Sequence, residues 1–279
     1  MRNLIIVTII ILGAFCSLSP VRADVDEPVG LAAYTLKLKN FEWLTKSSKH
    51  FRCHYLSDSK AEREIDSLII RNEASLLSHL NILEVEKYNK IIYIFYFDTR
   101  EQINDVVMKP FRALADAESM TVLAVRNSEE DARDAHEIMH VVSFDLWGGW
   151  ERRNELAWLG EGIATYADMP CNGYEMSELA AHILKNTDDS SPLDSLAQEF
   201  RKYPEMIGYM LMESFVEFVL ENYGIEYLRN LWLEGYDGFE KVFGKDVATI
   251  EQEWLDYMNN EYPNPDVPDW NDLKEHGCK

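Results

Sequence analysis

His136-Glu137-Ile138-Met139-His140 is the stretch of this chain whose residue types and spacing point most directly to chemistry. On a helix of about 3.6 residues per turn, side chains four apart share a face, so His136 and His140 can aim two imidazole nitrogens at one point. A zinc ion suits that point. Glu137 emerges about 100° around the helix from His136, near enough to reach a water at the metal without occupying a coordination position. A catalytic zinc takes three protein ligands and keeps a fourth position open, so the histidine pair needs another donor. Glu161, in Trp158-Leu159-Gly160-Glu161-Gly162-Ile163-Ala164, is the candidate. Twenty residues lie between His140 and Glu161, enough to end one helix, turn at Gly148-Gly149 and return along a second helix packed on the first. The competing reading makes the histidines ordinary members of a half-buried helix and Glu137 a solvated charge. The setting of Glu161 argues against it, because Trp158, Leu159, Ile163 and Ala164 mark a buried helix, where an unpaired carboxylate is costly.

Taken together, His136-Glu137-x-x-His140 and Trp158-Leu159-x-Glu161-Gly162-x-Ala164 resemble the gluzincin metallopeptidases, specifically the bacterial peptidase MA-like group. The resemblance runs over roughly residues 45 to 260 and takes in Tyr209 with Ser214-Phe215-Val216, Asn222-Tyr223-Gly224, Val242-Phe243-Gly244 and Glu253-Trp254-Leu255. It implies a zincin-like α+β fold, a small mixed sheet with the active-site helix followed by a helical lobe. It also implies one Zn2+ ion, a peptide or protein substrate, and a tyrosine from the helical lobe that donates to the substrate's carbonyl oxygen. Tyr209 is the best positional match for that donor, with Tyr203 second. In such enzymes the edge strand of the sheet borders the cleft and pairs with an extended substrate, and the strand at 121–126 is the candidate. One departure stands out. Thermolysin-type gluzincins place Asn before the third ligand and Asp four residues after it, whereas this chain has Gly160 and Thr165.

A zinc ion in this setting lowers the pKa of a bound water from about 15.7 toward roughly 7. Glu137 is then the general base. The leading reading is a zinc metallopeptidase. A zinc amidase or esterase acting on a non-peptide acyl group is the alternative within the same chemistry. A non-catalytic binding protein retaining the fold is the alternative outside it, and Glu137 counts against that, since a structural zinc needs no base.

The chain has 279 residues, 47% of them hydrophobic, enough to bury a substantial core. Met1-Arg2-Asn3, an apolar run from Leu4 to Phe15 and Val21-Arg22-Ala23 have the layout of a secretory signal peptide cut after Ala23, which would place the protein in the periplasm or outside the cell. An uncleaved anchor over Leu4 to Leu18 is the alternative, and bulky Phe15 makes Cys16 a poor lipid-attachment site. Loss of Arg2 and Arg22 takes the formal charge from −22 to −24. That charge excludes nucleic acid as a partner and disfavours anionic membranes, because both are bound through Lys and Arg. Cys53, Cys171 and Cys278 stay in the mature chain; two could pair outside the cytosol, and spacing does not choose which.

Five segments follow: the signal at 1–23, a lead-in at 24–45, a zincin-like α/β lobe at 46–168, a helical lobe at 169–260 and a flexible acidic tail at 261–279. Alternation over 50–56 predicts a half-buried strand with His50 and His54 on its polar face, about 13 Å apart and so too distant to share a metal. A serine-capped helix is expected over 59–80, and a central strand over 90–97, where aromatic and β-branched residues run without a break. A helix from 98 or 99 to 108 and a strand over 121–126 come next, with the zinc helix opening at Asn127-Ser128-Glu129-Glu130-Asp131. Further helices are expected over 176–184, 193–200, 205–222, 225–234 and 247–259.

Overall fold

Ile92–Phe97 (β3) reads Ile-Tyr-Ile-Phe-Tyr-Phe, and all six residues are buried. In the computed structural model, which describes residues 27–168 and 170–278, this strand lies at the centre of a five-stranded mixed sheet. Leu44–Ser47 (β1), Phe51–Tyr55 (β2), Ala113–Asp116 (β4) and Thr121–Val125 (β5) complete it in the order β1-β2-β3-β5-β4. The three inner strands run parallel, and the outer two are antiparallel to their neighbours. Parallel strands need covered faces and crossover helices. Lys60–Ile82 (α2) provides the first crossover, opened by Ser59, whose hydroxyl accepts from the Glu62 N–H. Arg100–Val107 (α3) follows β3 behind a Thr99–Gln102 capping box.

Each face of the sheet has its own apolar cluster. Tyr93, Phe95 and Phe97 pack with Phe41, Ile103 and Val125, with Trp43 against them, while Ile92, Ile94 and Tyr96 face the main core. The lead-in segment contributes Gly30–Lys37 (α1) and the Phe41–Trp43 pair to the first cluster. It is therefore part of the sheet layer, and the lobe begins before residue 46, since β1 starts at Leu44. The same docking overturns the polar face expected for β2. His54 is buried and stacks on Phe95 with ring centroids 4.6 Å apart, because the covering residues come from a part of the chain that local alternation does not register. His50 is buried too, bonded to Glu73 and to the Tyr88 carbonyl, so neither histidine is a spare metal ligand.

A second correction concerns the edge. β5, the strand expected there, is paired on both sides, and β4 is the edge. Four residues, Ala-Leu-Ala-Asp, carry too short a pattern to announce a strand. Residues 127–131 also differ from expectation, forming a turn in which Asn127 Oδ1 accepts from the Glu129 and Glu130 N–H groups. The helix with the paired histidines, Asp134–Trp147 (α4), starts after it.

Beyond Ala157–Tyr166 (α5) the chain is helical: Met176–Asn186 (α6), Leu193–Glu199 (α7), Glu205–Asn222 (α8), Ile225–Glu234 (α9), Phe239–Phe243 (α10), Val247–Glu261 (α11) and Trp270–His276 (α12). α8 is its axis. Phe215 packs among Trp158, Phe239 and Trp254, joining α8 to α5, α10 and α11, and Trp254 Nε1 donates to Ser214 Oγ at 3.2 Å. The tail is docked, contrary to its polar composition. Val267, Trp270 and Leu273 are buried, and Cys278 is disulfide-bonded to Cys171, leaving Cys53 free and buried. Three apolar side chains spaced along a Pro- and Asp-rich segment suffice to anchor it once a covalent tie closes the loop. The proposed signal at 1–23 lies outside the described residues. No described helix is long and apolar enough to cross a membrane.

Candidate metal centre

α4 is fixed at its start by a buried polar network. Tyr96 of β3 donates to Asp134 Oδ2 at 2.7 Å, Asn72 of α2 donates to the Tyr96 hydroxyl at 2.9 Å, and Arg126 reaches Asp134 at 3.3 Å. A carboxylate in the first turn also complements the helix dipole. Ile138, Met139, Val141 and Val142 anchor the helix in the core, which leaves His136, Glu137 and His140 facing a cleft. The far end stops at Gly148 and Gly149, both at positive φ, and Trp232 Nε1 donates to the Gly148 carbonyl at 3.0 Å. α5 then returns against α4. Its inward approach to α8 depends on Gly162, where a Cβ would stand 2.7 Å from the Met212 carbonyl oxygen.

This return places Glu161 beside the histidines. His136 Nε2 and His140 Nε2 lie 3.1 Å apart, and Glu161 Oε2 is 3.2 Å from the first and 3.1 Å from the second. Four ligand atoms arranged tetrahedrally about an ion roughly 2.0–2.1 Å away are separated by about 3.3–3.4 Å. The observed triangle is close to one face of such a tetrahedron, so the His-His-Glu group can hold a metal ion. Its opposite side faces a cleft of about 1230 Å³.

Electrostatics agree with the geometry. Burial alone would lower the pKa of His136, but the hydrogen bond its ring donates to Glu161 and the nearby Glu137 charge override it and raise it to about 9. Glu161 is also opposed by burial, and the charge and hydrogen bonds of His140 and His136 hold its carboxyl well below the usual range. Glu137 is different: it belongs to none of the three contacts, and burial raises its pKa, with the imidazoles pulling the other way. A carboxylate shifted upward beside a metal site has the profile of a proton acceptor.

Tyr209, at the start of α8, lines the cleft and lays its ring parallel to His136, with centroids 6.0 Å apart and planes within 5°. Its hydroxyl makes no hydrogen bond within the protein among the described residues, and burial followed by the Glu161 charge raises its pKa, so it stays a donor. Tyr203, half-buried, packs beside Gly208 against the core and is not among the residues lining the cleft.

Sequence reasoning missed three neighbours. Asp168 ion-pairs with Arg133 at 3.0 Å and lends its charge to His136 and Glu137. It lies just past the end of α5, in the turn where its N–H donates to the Thr165 carbonyl, so helical spacing from Glu161 does not reach it. Arg201 reaches Glu161 Oε1 at 3.4 Å from the helical lobe. His79 of α2 is buried behind the site, toward Ala167 and Asp168, and burial takes its pKa down to about 4, so it stays neutral. Neither Arg201 nor His79 belongs to a recognisable local pattern.

Set against known proteins, the chain matches no family model and no curated sequence.

Proposed function

We propose that the protein is an exported zinc metallopeptidase of the gluzincin type, in a zincin-like fold, with His136, His140 and Glu161 as ligands and Glu137 as general base. One observation carries the reading: three donors from two helices converge to 3.1–3.2 Å while a second acid, next in sequence to a ligand, remains outside the triangle. Two imidazoles and a carboxylate are a donor set suited to zinc and leave room for a solvent or substrate oxygen. A zinc ion held there would supply a Lewis acid and an acidified water.

The protein's own groups do the rest. Glu137 takes the proton from the attacking water and passes it to the leaving amine, which its raised pKa favours. Tyr209 offers its hydroxyl proton to the oxygen of the carbonyl under attack. α5, packed between α4 and α8, with Tyr209 of α8 stacked on His136 of α4, holds these groups without the cost of reorganisation. Ala113, Leu114 and Ala115 of β4, the actual sheet edge, line the cleft and leave backbone groups available to an extended peptide.

The test is cleavage of a peptide library by the purified protein with and without chelator, followed by zinc readdition. Loss with chelator and recovery with zinc support the reading. Cleavage indifferent to chelator contradicts it.

A further inference from the structure

The cleft reverses the charge balance of the chain. Over the whole sequence 49 acids outnumber 27 basic residues, but the cleft is lined by seven Lys or Arg against five Asp or Glu. Three of the cations are matched by carboxylates: Arg100 by Glu130, Arg133 by Asp168 and Lys274 by Asp189. Arg201 leans on Glu161. Lys109, Arg112 and Arg153 have no carboxylate partner among the described residues. Of the acids, Glu137 and Glu161 belong to the centre and Asp168 is paired, which leaves Glu205 and Glu275. A divalent ion would add further positive charge.

Arg153 is the best built of the three unmatched cations. Its guanidinium lies 4.8 Å from the centroid of the Trp150 ring, and its Nη1 donates to the Trp150 carbonyl at 3.2 Å. Trp150 is itself held edge-on against Phe144, 5.2 Å between centroids, and Phe144 is one turn beyond His140 on α4. A short relay of packed rings therefore ties this guanidinium to the ligand helix, and its remaining N–H groups make no hydrogen bond among the described residues. A planar guanidinium resting on a ring recognises carboxylates bidentately in a way a lysine does not. Arg112 and Lys109, leading into the β4 edge, add to the field along the strand where a peptide would lie.

We propose that the cleft selects substrates bearing a carboxylate close to the hydrolysed bond, and that Arg153 is the residue that reads it. This deepens the peptidase reading and rests on it. The carboxylate can come from an acidic side chain or from the free C-terminus of a peptide. Discrimination arises because an amide in the same place leaves the guanidinium without its anion, whereas the backbone contacts at the β4 edge are the same for both.

The test uses the zinc-loaded Glu137→Gln protein and acetylated peptides that differ only in Glu or Gln at one position, each made as free acid and as amide. Binding is followed by fluorescence, since Trp150 is at the site. The expected result is about fivefold tighter binding for at least one class of carboxylate over its neutral counterpart, shrinking at high salt. The Glu-against-Gln arm identifies a side-chain source, and the acid-against-amide arm a terminal one. In Arg153→Gln the ratio falls to near one, and in Arg153→Glu it inverts, so that the neutral peptides bind more tightly than the carboxylates. Charged and neutral peptides bound within twofold of each other by the parent protein overturn the proposal, as does a preference that survives Arg153→Glu. Because binding is read in a protein unable to turn over, a carboxylate preference with no cleavage by the unsubstituted enzyme would sink the peptidase reading and leave the subsite standing.

Discussion

The ring of Tyr209 lies parallel to that of His136 at 6.0 Å, although 73 positions separate them in sequence. The stacking steers a tyrosine from the helical lobe to the metal centre. If its hydroxyl supports the oxygen of the carbonyl under attack, Tyr209→Phe lowers kcat about 100-fold with metal content and fold intact. Steady-state kinetics beside elemental analysis would check this, and an unchanged kcat would remove Tyr209 from the machinery. Tyr203→Phe, away from the cleft, should leave kcat alone.

Glu137 stands apart from the three mutual contacts of the centre, so its role separates cleanly from theirs. Glu137→Gln should keep the metal and lower turnover about 100- to 10,000-fold. The acid limb of the kcat/KM profile should follow the raised pKa of this carboxyl: activity rises as pH increases through that value, because the base must be ionised. A variant that loses metal together with activity would mean that Glu137 is a ligand.

Gly162 and Gly160 flank the same carboxylate but differ in what surrounds them. A Cβ at 162 meets the Met212 carbonyl oxygen at 2.7 Å and Val216 at 2.9 Å, whereas one at 160 meets nothing nearer than 3.7 Å. Gly162→Ala should therefore destabilise the protein by about 1–3 kcal/mol through overpacking of α5 on α8. Gly160→Ala should be neutral or slightly stabilising, since a helical glycine costs conformational entropy. Thermal melts of the two variants make the comparison.

Removal of the metal should expose a specific pH dependence. The His136 pKa is raised to about 9 in the fold, against about 6.5 in an unfolded chain. Its protonated form thus contributes stability that is complete below about pH 6.5 and is lost as pH rises through about 9, at most about 3 kcal/mol. The melting temperature of the metal-free protein should fall over that interval. With metal bound the imidazoles are already deprotonated, and this contribution to the fall should vanish. Equal slopes with and without metal would count against the assignment.

Much of the centre was legible because its chemistry is local. His136 and His140 share a face by helical periodicity, and Glu161 betrays itself as a carboxylate inside an apolar helix. The central strand was legible for a similar reason, its two buried faces leaving no polar position from Ile92 to Phe97. What escaped was set by distant parts of the chain. His54 is buried because the lead-in segment folds over it, the β4 edge is four residues long, and the tail docks through three apolar side chains and the Cys171–Cys278 bond. Arg153 carried no motif at all. Its placement depends on Trp150 and Phe144, which come together only when α4 has stopped at Gly148.

Elemental analysis of the purified protein beside its Glu161→Ala variant tests the central claim most directly. The account predicts about one zinc per chain in the parent and less than about a tenth of that in the variant, with both proteins folded. A parent without zinc after exposure to it, or a variant that retains a full equivalent, would contradict the claim that His136, His140 and Glu161 together hold the ion.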